Sequence, residues 1–154
     1  MAKKYYQGRY RPQNPEKYKG DVSNIQYRSG WELRLCSYLD KHPKVLEWSS
    51  EEVVLPYVSP IDNRIHRYFP DFLVKQLNKE GNIETILIEV KPYAQTRPPD
   101  PAKGKTPSGR PSRRFLNEVK TWGVNEAKWK AAEEFCRDRK WKFQKLTEHD
   151  LGIK

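Results

Sequence analysis

PDFLVKQLNKEGNIETILIEVK, residues Pro70 to Lys91, decides the fold of this chain. Its centre, Asn78-Lys79-Glu80-Gly81-Asn82, is turn chemistry, and the runs on either side, Arg67–Gln76 and Ile83–Val90, are rich in the residues of strands. In the second run the side chains alternate. Ile86, Ile88 and Val90 point to one face, and Thr85, Leu87, Glu89 and Lys91 to the other. The spacing predicts an antiparallel hairpin. With the turn centred on Glu80, Asp71 falls opposite Glu89, and residues directly opposite share a face at close Cβ separation. A slip of one residue would send Glu89 and Lys91 to the other face and separate the two acids.

Two carboxylates converging on one face repel unless a positive charge lies between them. Mg²⁺ is the expected ion, with Mn²⁺ as an alternative: a hard cation that takes oxygen ligands and keeps several waters. Asp71 and Glu89 are the candidate metal ligands, and Lys91 the candidate amine that holds the attacking water. The expected reaction is hydrolysis of a phosphodiester, the metal polarising the phosphoryl oxygen and acidifying water while Lys91 orients that water or stabilises developing charge. Singly, each residue has a plainer reading as a strand-end acid or an exposed ion pair; the three together favour a site. Other chemistries lack a signature. His42, His66 and His149 have no ligand spacing, there is no Ser/His/Asp or Cys/His pattern, and no glycine-rich phosphate loop implies ATP.

Composition points the same way. Lys and Arg number 30 against 20 acids, a net charge of +10 over 154 residues, which draws polyanions through counterion release and steering. Nucleic acid is the expected partner. No long apolar run suits a membrane, and MAKKYYQGRYR has no signal-peptide core, so a soluble, non-secreted chain is expected. Cys36 and Cys136 form no CxxC pair and are read as reduced core thiols. The length fits one domain.

Upstream of the hairpin, residues 1–20 mix Tyr, Lys, Arg, Asn and Pro and are read as a basic, aromatic arm that lies on something or stays mobile. The single domain is expected over 21–154. A helix is predicted from Gly30 to about Lys41, opened by Ser29-Gly30-Trp31-Glu32, a capping box. Glu32 is thus either a cap or a third acid at the site, and Arg28 beside it either a phosphate contact or its counter-charge. Short strands are predicted at Val45–Trp48 and Glu52–Tyr57.

Downstream, residues 92–112 form a basic, Pro-rich loop leaving from the acids. Lys103, Lys105, Arg110, Arg113 and Arg114 are the candidate DNA contacts there. Two helices follow, Arg114–Trp122 and Asn125–Arg139, the second capped by Asn125. Trp141–Leu146 is the last strand, and Phe115, Trp122 and Trp129 are expected to pack the core.

Arg28-Ser29-Gly30-Trp31-Glu32, Asp71, Glu89-Val90-Lys91-Pro92, Arg114-Phe115-Leu116-Asn117-Glu118, Thr121-Trp122-Gly123-Val124-Asn125 and Lys128-Trp129-Lys130-Ala131-Ala132 together resemble the head completion nucleases of T-even-type tailed phages. That family is similar to the endonuclease subunit of heteromeric transposases, in the PD-(D/E)xK superfamily. The resemblance covers about Tyr18 to Glu148. It implies an α/β, restriction-endonuclease-like core, a central mixed β-sheet flanked by helices, and Mg²⁺-dependent cleavage of double-stranded DNA. By position, Glu32 matches the family's helix acid, Asp71 its metal-binding aspartate, and Glu89 and Lys91 its E-x-K pair. It further implies action on the packaged genome end before neck or tail attachment, with portal or neck proteins as partners, in the virion and, during assembly, the host cytoplasm. Two other readings stay open at this level: a connector that binds DNA or portal without cutting, and a nuclease of the same superfamily for branched DNA or transposon ends. The 92–112 loop has no residue-by-residue match in the family, and oligomeric state is not legible.

Overall fold

A computed structural model describes residues 7–152, so the first six residues of the expected arm lie outside the described range. The chain opens with a two-stranded antiparallel ribbon, β1 (Gly8–Arg9) with β2 (Gln26–Tyr27), and continues into α1 (Gly30–Lys41). Then come β3 (Val45–Ser50), the β4 (Leu55–Val58) and β5 (Ile65–Tyr68) hairpin, β6 (Phe72–Leu77), β7 (Ile83–Val90), α2 (Arg113–Arg139) and β8 (Lys142–Leu146). Four of the strands make the central sheet, in the order β3-β6-β7-β8. The first three run antiparallel and β8 runs parallel to β7, with α2 as the crossover that such a parallel pair requires. This is the mixed sheet flanked by helices of a restriction-endonuclease-like α/β core.

The β6–β7 register is the one the turn implies. Phe72 pairs with Ile88, Leu73 with Leu87 and Leu77 with Ile83, a ladder centred on Glu80. Asn78 builds the turn: its side-chain oxygen accepts from the backbone N–H of Glu80 (3.0 Å) and Asn82 (2.9 Å). Gly81 supplies the left-handed residue, at φ 79°.

Alternation along β7 feeds two cores, one on each side of the sheet. Ile86 and Ile88 pack with Val74, Trp48 and the Leu35, Cys36 and Leu39 stripe of α1. Leu87 packs with Leu55, Tyr68 and the Ala132 and Cys136 stripe of α2. Each such buried side chain contributes ~1.5–3 kcal/mol relative to exposure. Cys36 and Cys136 are buried, free thiols in separate clusters.

Several elements differ from the sequence reading. The strand expected over Arg67–Gln76 is two strands in different sheets, because Pro70 lacks an N–H for a continuous ladder. Pro70 is itself buried, so the break is packed into the core. The strand expected over Glu52–Tyr57 is β4 at Leu55–Val58, with Pro56 inside it and exposed on the two-stranded hairpin.

The two helices expected over Arg114–Trp122 and Asn125–Arg139 are one 27-residue helix. Gly123 in a helix interior costs about 1 kcal/mol relative to Ala. Packing on β4 and β8 outweighs it, and Asn125 is a buried interior residue rather than a cap. The true cap is Ser112, whose hydroxyl accepts from the Phe115 N–H at 3.0 Å. Phe115 covers Gly104 of the preceding loop instead of joining either core, so closely that a Cβ at Gly104 would lie 2.4 Å from its ring.

From Gln7 onward the expected arm is built onto the domain. Asp40, fully buried at the end of α1, accepts from the Tyr10 hydroxyl (2.7 Å) and from the N–H groups of Gln13 (2.7 Å) and Asn14 (2.9 Å). Lys17 Nζ closes the helix end on the Asp40 and His42 carbonyls at 3.0 and 2.8 Å. Tyr10 and Tyr18 stand edge-on to Trp48, so their rings belong to the core. The 92–112 loop is shaped by short 3₁₀ turns at 93–96 and 101–103 and a bridge between Lys105 and Pro111.

Candidate active site

Asp71 owes its place to the break at Pro70. Standing just before β6, it is fixed at both ends: its carbonyl accepts from Glu51 N–H at 3.0 Å, and Oδ2 accepts from Val90 N–H at 2.7 Å. Glu89 lies on the α2 side of β7, 7% exposed. The Tyr68 hydroxyl donates to its Oε2 at 2.5 Å, and Lys91 Nζ lies 3.6 Å from Oε1. Asp71, Glu89 and Lys91 therefore meet where the hairpin register directs them.

Glu32 makes the capping contacts the sequence suggested, with one difference. Ser29 Oγ accepts from Glu32 N–H at 3.1 Å, but the Glu32 carboxylate accepts from Arg28 N–H at 2.5 Å, one residue before the cap. Arg28 extends to an ion pair with Glu51, whose N–H holds the Asp71 carbonyl. The start of α1 is thereby tied to the start of β6. The cap also leaves Glu32 near enough to add to the negative field at Asp71.

Burial pushes the Asp71 carboxyl up to about 8, helped by the charges of Glu89 and Glu32 and opposed by the Val90 N–H and Lys91. Glu89 is raised as well, first by burial; its hydrogen bond from Tyr68 and the charges of Lys91 and Lys128 pull it back. Tyr68 is pushed far above the usual phenol range by burial and by the Glu89 carboxylate, so its hydroxyl stays a donor. Two acids, one half-buried and one buried, that resist ionising together are stabilised by a cation.

The donor set fits a small hard ion. One oxygen of each acid is held by a protein donor, while Asp71 Oδ1 has no hydrogen-bond partner among the described residues and Glu89 Oε1 faces only Lys91. No three His, Cys, Asp or Glu side chains among the described residues group closely enough to share an ion. Two carboxylates completed by water or phosphate oxygen form a characteristic Mg²⁺ site, whereas an all-protein cage is not.

Three residues at the site were not singled out from the sequence. They are Tyr68, Glu51 and Lys128, to which no role was given from the sequence. Lys128 Nζ lies 5.5 Å from the Tyr68 ring centroid and 5.7 Å from that of Tyr57, and its charge reaches Glu89. Only the packing of α2 on β4 and β5 brings it there. Lys103, Lys105, Arg110 and Arg113 are exposed without ion-pair partners among the described residues, and Arg114 pairs with Glu118 at 3.2 Å.

Residues 42–148, which include Asp71, Glu89 and Lys91, match the family described as TnsA-like endonuclease N terminal. The chain belongs to this endonuclease family. The match begins after Glu32, so that acid lies outside the matched stretch. A head completion nuclease of Enterobacteria phage T4 is 39% identical over 146 residues, covering 95% of this chain and 93% of that protein, and so does span Glu32 and the N-terminal segment. Among the described residues no helix of this family member is long and apolar enough to cross a membrane.

Proposed function

We propose that this chain is a divalent-metal-dependent DNA endonuclease that acts on the packaged genome end during phage head completion, before the neck or tail attaches. The observation that carries the chemistry is the pairing of half-buried Asp71 with buried Glu89, with Lys91 Nζ 3.6 Å from Glu89. Family membership and the T4 relative support the substrate and the setting.

Asp71 and Glu89 would hold Mg²⁺ or Mn²⁺, which when bound supplies Lewis acidity toward a phosphodiester and a water. Tyr68 fixes the Glu89 carboxylate from one side. Lys91, beside the other oxygen, is placed to orient the attacking water and to offset charge gathering on the phosphoryl oxygens. Glu32, held by Arg28 N–H, is an accessory acid whose field helps to concentrate positive charge at Asp71. Arg28 and the cations of the 92–112 loop and the start of α2 (Lys103, Lys105, Arg110, Arg113 and Arg114) would grip the backbone of double-stranded DNA. Portal or neck proteins are the expected partners, in the host cytoplasm during assembly and then in the virion.

Linear DNA incubated with the protein and Mg²⁺ should be cut, and chelation or Asp71→Ala should stop cutting while circular dichroism stays unchanged. DNA bound but uncut under every divalent metal tried would replace this reading with a non-cutting connector.

A further inference from the structure

A cleft of about 780 Å³ opens between the turn that follows Lys91 and the first half of α2. We propose that this cleft, resting on the nuclease reading above, is a nucleotide pocket that takes one unstacked base of the DNA strand beside the acid pair. Its size is that of a small-ligand site, and Trp122 and Asn125 line it beneath a rim of Arg97, Arg113 and Arg114.

Asn125 is the first reason. It is only 6% exposed, inside a helix, and its amide makes no hydrogen bond among the described residues yet is not sealed from solvent, unlike the buried, unpartnered indole N–H groups of Trp48 and Trp129. An amide that lines a cleft without a protein partner is an open donor and acceptor for whatever enters it. That pair of functions matches the edge of a base.

Trp122 is the second. It is held edge-on to Trp129, ring centroids 5.7 Å apart at 77°, which fixes an aromatic surface against the cleft. Bases stack on such surfaces with little regard to sequence. The rim arginines outnumber the single acid Glu118, itself paired with Arg114, and so favour phosphate.

The helix also sets the distance. Lys128 is beside Tyr68, which holds Glu89, and Asn125 precedes it by one turn on the same face. At ~1.5 Å per residue, Asn125 and Trp122 lie about 4.5 and 9 Å further along the axis, on the scale of one to three base steps at ~3.4 Å. A base paired in continuous duplex cannot offer both its face and its edge to the two residues. The pocket therefore selects DNA with unpaired bases beside the scissile phosphate, as at frayed or tailed ends.

The test compares a blunt duplex with the same duplex carrying a short unpaired tail that contains 2-aminopurine, both titrated with full-length protein in chelator. The tailed DNA should bind about tenfold more tightly, within the range that stacking one base provides, and its 2-aminopurine should be quenched on binding. Trp122→Leu and Asn125→Leu should each abolish that preference. Because these touch packed residues, Asn117→Ala and Arg97→Ala, exposed at the rim, serve as second variants and should weaken it. Equal affinity for the two DNAs, unquenched fluorescence, or a preference untouched by all four variants overturns the pocket. If the unaltered protein cuts blunt duplex in Mg²⁺ in that case, the nuclease reading stands without the pocket; if it neither binds nor cuts any DNA, both fall.

Discussion

Val90 N–H donates to Asp71 Oδ2 at 2.7 Å, so the residue between Glu89 and Lys91 holds the acid that faces them. One backbone bond thus couples the position of Asp71 to that of both neighbours on β7. The same bond does little to relieve the charge. Burial and Glu89 still drive the Asp71 carboxyl upward, leaving a site that is geometrically fixed and electrostatically strained.

Asp71→Asn should therefore separate activity from stability. It removes one of two repelling carboxylates and should lower Mg²⁺-dependent cleavage by at least about 10³-fold, or ~4 kcal/mol of transition-state stabilisation. In chelator the same variant should melt a few degrees higher than the unaltered protein, since ~1 kcal/mol shifts Tm by about 2–4 °C at this size. Calorimetry without metal, set beside a cleavage assay with it, measures both.

The acid pair also predicts a pH dependence. A carboxyl raised in the folded state holds a proton that the unfolded chain has released, so its contribution is full below the unfolded value, about 4. It is lost as pH rises toward about 8. Metal-free protein should lose stability over that window relative to Asp71→Asn, and Mg²⁺ should restore more of it at the alkaline end. Urea titrations at several pH values, with and without Mg²⁺, read the difference; parallel curves for the two proteins would remove the electrostatic account.

Tyr68→Phe deletes the donor that fixes Glu89 Oε2 without disturbing the ring in its cluster. Cleavage should fall by about tenfold, and higher Mg²⁺ should recover part of the loss. A positioning role predicts that recovery, whereas loss of core packing would lower Tm and show no rescue by the metal.

Asp40→Ala should release the N-terminal segment. Burial would raise this carboxyl, but hydrogen bonds from Tyr10, Gln13 and Asn14 outweigh burial and hold it below the usual range. Its contribution is then present above the unfolded value and lost as pH falls through the lowered one. The variant leaves buried donors without partners and should cost about 1–3 kcal/mol. Limited trypsin digestion should cut at Arg9 or Lys17 well before the sheet opens.

The hairpin was legible because its information is local. Turn residues at Asn78–Asn82 and a period of two along Ile83–Val90 fix the register from Leu77–Ile83 to Phe72–Ile88, and Asp71, the next residue, is held beside Glu89 by the Val90 N–H. The helix start at Ser29 was legible for the same reason. Boundaries that depend on partners were not. Arg67–Gln76 reads as one strand until Pro70 is seen buried between two sheets, and Gly123 reads as a helix end until β4 and β8 are seen against α2.

By itself, the sequence determined an α/β chain of net charge +10 with two acids and a lysine converging on one face of a hairpin. Alternation and turn chemistry act over a few residues and leave little choice. Tertiary structure alone decided what surrounds those acids: the Tyr68 donor, the nearby Lys128, the tie from Arg28 through Glu51, and the cleft at Trp122 and Asn125. These depend on how α2 lies across β4 and β5 and on how α1 meets β3. Such packing is a choice among many compact arrangements, made by burial and shape over the whole chain, and no short stretch of residues encodes it.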